Sequence, residues 1–422
     1  MTIGIGLGLA YGAVLYSAGG GGEGKTNAGV SPLRATRCGR DDGSISMEGG
    51  APKYGVGPVG WVLAMLGLAL VSVAWTAAQS RVTALVYWAG MAADVAIVLL
   101  LVRRDAVRMT EGLMQGAVWG AVALGVVAWC SPRTADMRLG NDAFLHPNTL
   151  GLELGLATLM AQYFWGRAKD KYGDSDLMSP SEVKTNAGVS PLAALGRDDA
   201  SRGGAGAARR GDGAAKWKWV TAALAVTLLR TLSKTAILAF VIAEGWVLLQ
   251  HRGITRKAKL RIAAAAMVVV ACFWGVLTAY VDAYNNAGSG NQVETLTGRT
   301  VLWAAALGMG LERPWLGHGI YSFKTLIPAF GSFAAVHAHN EALQQFFELG
   351  AAGVVVAAGV YASFYRLARR AGAGELRVLA MGLLIFALVR GLTDTVPLGL
   401  SLPLWLVVAL AVCLDPAHGS RG

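Results

Sequence analysis

The chain has 422 residues, 54% of them hydrophobic and 15% charged, with a net charge of +11 and a positive mean hydropathy. Soluble domains carry about 25% charged residues, so an ordinary soluble fold is excluded and an all-α polytopic membrane protein is expected. The basic residues are spread over several loops and form no single patch interleaved with aromatics, which argues against a nucleic-acid partner.

A helix needs about 20 residues to cross roughly 30 Å of hydrocarbon. In chain order, spans are expected near residues 3–18, 58–77, 82–101, 109–129 and 149–166. The first lacks a basic leader, so a cleaved signal peptide is not expected. The segment from Trp219 to Gln250 is too long for one crossing at about 1.5 Å per residue, and two short spans meeting near Ser233 fit it better. Further spans follow near 262–281, 350–365, 378–392 and 398–414, about eleven in all by length and apolarity.

Lys and Arg crowd "VRRDAVR" (102–108), residues 167–218, "HRGITRKAKLR" (251–261) and "RLARRAGAGELR" (366–377), which assigns these loops to the cytoplasm. Residues 131–148, the turn at Ser233, the long loop 282–349 and the short loop 391–397 then face outward, with the N-terminus outside and the C-terminus inside. The chain divides into N-terminal transmembrane helices (1–281), a periplasmic loop (282–349) and C-terminal transmembrane helices (350–422). Cys38, Cys130, Cys272 and Cys413 fall at different depths, and no disulfide framework or CxxC metal site can be drawn from them.

"KTNAGVSPL" occurs twice, at 25–33 and 184–192, each copy followed by "GRDD". Two copies in different loops do not make a solenoid. Their Gly, Ser, Asn and charge content marks them as disordered cytoplasmic inserts, at 19–57 and 167–218.

The chemistry concentrates in the outer loop. A helix is expected from Arg299, a Pro/Gly break at "RPWLGHG", and a second helix after His339 with Asn340 as its cap, Glu341 at its positive end and Leu343, Phe346 and Phe347 as its apolar stripe. A histidine beside a helix N-terminus is disfavoured as imidazolium, so His339 is placed to act as a general base or a polar orienting group. The bland alternative is a loop histidine bonded to backbone carbonyls. Arg230 and Lys234, four apart, share one face if the helix runs through them. With Arg299 they offer cations for a lipid diphosphate, or they simply snorkel to the headgroups. His318, His337 and His339 have no recognised zinc-ligand spacing, so no metal is expected. Asp94, Glu153 and Glu244 lie in spans and are expected to pair inside the bundle.

"TGRTVLW", "RPWLGHG" and "HAHNEALQQFFELGAAG", in this order, resemble the signature region of the O-antigen ligase and polymerase family. "FLHPNTLG" and "LSKTAIL" resemble two further landmarks upstream. The resemblance implies a metal-independent, inverting glycosyltransferase without cofactor, in the bacterial inner membrane with its site facing the periplasm. Its donor would be an undecaprenyl-diphosphate-linked glycan, and its acceptor a glycan or lipid A core hydroxyl. His339 would be the base, and Arg299 and Lys234 would hold the diphosphate, assisted by Arg230. His146, Asn148, His337 and Asn340 would be possible substrate contacts, although His146 and Asn148 also suit the shaping of a helix entrance at Pro147. The family pattern has arginine where this chain has Lys234, and about twelve spans with both ends inside. A polymerase using the same donor and a transporter or flippase of lipid-linked saccharides are the rival readings. Deleting both inserts should leave membrane insertion and transfer intact; loss of transfer by a normally inserted protein would refute their dispensability.

Overall fold

The computed structural model describes residues 56–131, 138–140, 145–176, 200–250, 255–272, 299–327, 336–396 and 399–415. Outside them lie the expected span at 3–18, both repeat copies, Cys38, the end of the expected 262–281 span, and residues 282–298 and 328–335 of the loop expected to face outward.

The described residues are helical and contain no strand. The helices are α1 (Pro58–Ser72), α2 (Arg81–Val102), α3 (Ala106–Cys130), α4 (Pro147–Asp176), α5 (Ala200–Arg230), α6 (Lys234–Gln250), α7 (Arg256–Cys272), α8 (Arg299–Glu312), α9 (Phe323–Leu326), α10 (Glu341–Arg370), α11 (Glu375–Gly391) and α12 (Leu404–Leu414). Local chemistry sets several starts. Ser80 accepts the Thr83 amide, Asp105 accepts the Arg108 amide at 3.0 Å, and Pro147, needing no amide partner, opens α4. α4 and α5 run on past the apolar segments into residues 167–176 and 200–218.

α2, α3 and α10 are long and apolar enough to cross a membrane, whereas α1 and α12 are shorter apolar helices. α2 and α3 expose large apolar side chains such as Val82, Val86, Leu100 and Val126, a surface suited to lipid. α12 is different. From Leu404 to Ala411 every residue is buried, so this helix is a core element packed by α1, α2, α3, α10 and α11.

α4 is the other centre of packing, against α3, α5, α6 and α11. A Cβ at Gly151 would sit 2.9 Å from the Cβ atoms of both Ser233 and Ala236. The missing side chain therefore lets the start of α6 rest on the first turn of α4, as small residues do between membrane helices.

The segment that carries α8 and α9 is anchored at two places. The α1–α2 turn is laced to residues 316–325: Ala77 N–H donates to His318 O (2.9 Å), Thr76 Oγ1 to Ile320 O (2.6 Å), and Gln79 N–H to Thr325 Oγ1 (2.9 Å). α10 is interrupted at Gly350 (φ 66°, ψ −161°), a backbone conformation open only to glycine, and a Cβ there would lie 2.3 Å from the Trp315 carbonyl carbon. In that gap the amides of His318 and Gly319 donate to Phe347 O and Glu348 O. The break thus lets α10 accept the turn that carries α8. Gly350→Ala should lower the melting temperature in detergent, with a loss of about 1–3 kcal/mol or more. Gly67→Ala, at a position with open space around it, should not. Equal melting temperatures would contradict this account.

Candidate active site

Asn340 caps α10 as its sequence indicates: its Oδ1 accepts the Leu343 amide and its Nδ2 donates to Leu392 O, both at 2.9 Å. One side chain therefore starts the helix and ties it to the end of α11. Just before it, Ala338 N–H donates to Gln344 Oε1 (2.7 Å), and Trp303 Nε1 of α8 donates to Ala338 O (2.8 Å). His339, held between these anchors, has a left-handed backbone (φ 50°). This conformation costs a histidine about 1–2 kcal/mol and persists only where its surroundings impose it.

The His339 ring is held by residues from α11 and the loop after it. Nδ1 lies 3.1 Å from Asp394 Oδ1, which also accepts the Thr395 amide at 2.9 Å, and Asp394 Oδ2 accepts from Arg390 Nη2 at 3.1 Å. Arg390 and Asp394 are 1% and 0% exposed, and His339 is 13% exposed. Burial alone would raise the Asp394 carboxyl, but the Arg390 guanidinium and the His339 hydrogen bond outweigh it and hold the group well below the usual carboxylate range. An ionised carboxylate only accepts, so Nδ1 carries the hydrogen of this contact and Nε2 is the ring nitrogen that can exchange a proton.

His337 lies against this pair, ring centroids 4.2 Å apart, and its Nδ1 accepts the His339 amide at 3.3 Å. Burial, followed by the neighbouring His339, pushes its pKa down to about 3. Ligand atoms of His337, His339 and Asp394 lie within 4.8 Å of one another, a spacing that a metal ion could use. The charge balance fits a hydrogen-bonded triad better, because Arg390 already occupies the second carboxylate oxygen and a cation would face that guanidinium. His318 does not join the other two histidines. It is buried, its Nε2 is 2.9 Å from Met309 O, and its ring packs on Phe347.

A second group gathers where α4 and α6 begin. Asn148 Oδ1 accepts from Arg138 Nη2 (2.6 Å) and Ser233 Oγ (3.1 Å). Its amide donates to His146 Nδ1 (3.3 Å), and its carbonyl accepts from Arg390 Nη2 (3.4 Å). Arg390 thus links the two groups. Lys234, exposed at the start of α6, feels the charges of Arg138 and of Arg299, which opens α8. The starts of α4, α6, α8 and α10 are joined through these contacts, and helix N-termini favour anions.

No single helix runs through Arg230 and Lys234, in keeping with the break expected near Ser233, so the condition for their sharing one face is not met. α5 ends at Arg230, and Leu232 turns left-handed (φ 49°) before α6 begins. The Arg230 guanidinium lies 5.8 Å from the Trp129 ring centroid. Of the in-span acids, Glu244 bonds Gln162, and Glu153 lies within the field of Arg390. The residues that sequence reading missed are Arg138, Arg390 and Asp394. A lone arginine in the apolar run "LLIFALVRG", with an acid four residues on, was the available signal.

The folded protein binds a proton at His337 more weakly than the unfolded chain, whose histidines titrate near pH 6.5. Stability is therefore complete above that pH and is lost as pH falls from about 6.5 toward 3. His337→Gln should flatten the melting temperature between pH 6.5 and 4.5, and an unchanged profile would contradict the neutral, half-buried ring.

No curated protein matches the chain. Residues 219–358, which hold Lys234, Arg299, His337, His339 and Asn340, match the model of a family described as O-antigen ligase.

Proposed function

We propose that the chain is an inner-membrane glycosyltransferase of the O-antigen ligase kind. It moves a glycan from undecaprenyl diphosphate to an acceptor hydroxyl on the periplasmic face, with inversion and without a metal ion. The observation that carries this reading is the bond from His339 Nδ1 to the buried Asp394 carboxylate, 3.1 Å long and backed by Arg390, next to cations that act on one another around Lys234.

The lone pair on His339 Nε2 takes the proton of the acceptor hydroxyl as its oxygen attacks the anomeric carbon. The bond from that carbon to the diphosphate oxygen breaks, and its electron pair leaves with the lipid diphosphate. Asp394 stabilises the imidazolium that forms, and Lys234 and Arg299 neutralise the leaving group. A placed base contributes about 10²–10⁴ in rate, and fixed charge at the leaving group adds a comparable factor. The chemistry needs no carboxylate pair flanking the sugar, unlike hydrolytic glycosidases.

A polymerase would use the same groups, with a second glycan as acceptor in place of lipid A core. A transporter or flippase would use the cations but not the His339–Asp394 pair. Asp394→Asn, which offers His339 the wrong hydrogen-bond pattern, should lower transfer by roughly 10²–10⁴ at normal protein level. His339→Ala and Arg299→Ala should abolish detectable transfer. Glycan transfer that survives all three changes would remove the enzyme reading. In a deletion strain, single repeat units on lipid A core would identify a missing polymerase, and free lipid-linked polymer a missing ligase.

A further inference from the structure

Lys234 carries one compact charge on a flexible stem, whereas a diphosphate presents oxygens on two phosphorus atoms. A guanidinium grips two such oxygens at once, and an ammonium does not. On the reading above, Arg299 supplies one such fork, and a second guanidinium beside Lys234 would complete the grip on two phosphates.

Arg138 is built into that position. Its Nε donates to Thr231 O at 3.2 Å and its Nη2 to Asn148 Oδ1 at 2.6 Å, while the next residue, Leu139, donates its amide to Arg230 O at 3.1 Å. Residues 138 and 139 thus strap the turn between α5 and α6 through two of its carbonyls. The oxygen that receives Nη2 also receives Ser233 Oγ at 3.1 Å, and Ser233 is the residue before Lys234. Thr231 and Ser233 are fully buried, so the turn is a fixed support. Its other neighbour is the first turn of α4, whose N-terminus also favours an anion.

We propose that Arg138 is a diphosphate-binding residue of the donor site, supplying the two-pronged cation that Lys234 does not provide. It forms with Lys234 and Arg299 a three-cation cradle drawn from three separate elements. This proposal rests on the donor reading given under the proposed function.

The test uses the full-length enzyme in lipid vesicles, with undecaprenyl diphosphate lacking a glycan as a competitive inhibitor and undecaprenyl monophosphate as its comparison. Arg138→Gln should weaken inhibition by the diphosphate about tenfold or more and the monophosphate much less, because the fork spans two phosphates. Donor KM should rise in parallel, with acceptor KM unchanged. Arg138→Lys, which keeps the charge and a donor for Asn148, should lose about three- to tenfold; it also serves as the readout if the glutamine variant does not accumulate. Lys234→Arg introduced into Arg138→Gln should recover most of the loss, a rescue that a purely structural role would not show. Diphosphate inhibition within twofold of wild type in both Arg138 variants, with His339→Ala still inactive, overturns the proposal and leaves the glycosyltransferase reading standing. Transfer that persists in His339→Ala overturns that reading itself.

Discussion

The contact between Arg390 and Asp394 sets the terms for everything around it. Both groups are almost fully withdrawn from solvent, and either alone would carry several kcal/mol of uncompensated desolvation. Together they form a neutral unit with directional hydrogen bonds to spare. One goes to His339 on the approach to α10 and another to the Asn148 carbonyl at the head of α4. A buried ion pair is a poor source of net stability, but it is demanding about geometry. Here that demand joins three helices at one point. Glu341 and Glu153 lie within the field of the same arginine, and Glu341 also accepts the Ser401 amide just ahead of α12.

The site is a meeting of helix beginnings. α4, α6, α8 and α10 all start here, each with the positive end of its dipole. The turn at Leu232 brings the start of α6 beside that of α4. A polyanion at that end meets favourable potential before any side chain is counted, and the cations then select where along the surface it rests.

How much of this was legible depends on how far apart in the chain each signal lies. The α8 start at Arg299, the Asn340 cap and the break before Lys234 are local, set by a few consecutive residues, and all three are where the sequence indicates. Arg230 and Lys234 would share a face only if one helix ran through both, and the left-handed Leu232 between them ends that register. Arg390 and Asp394 join His339 from more than 50 residues downstream, and Arg138 reaches the α5–α6 turn from 93 residues upstream. No periodicity reports such meetings. α12 shows a different limit. It is as apolar as a crossing helix, yet eleven residues long and buried on all sides, so hydropathy alone cannot separate a core helix from one that meets lipid.

The backbone at His339 carries an evolutionary consequence. Its left-handed φ suits glycine or asparagine better than an imidazole, so random drift at this codon has an easy downhill exit toward a sturdier protein. Persistence of histidine there would mean that selection acts on what the ring does and not on how well the chain folds. The molecule gives up a little durability at the residue proposed as its base, the exchange expected where activity and robustness compete.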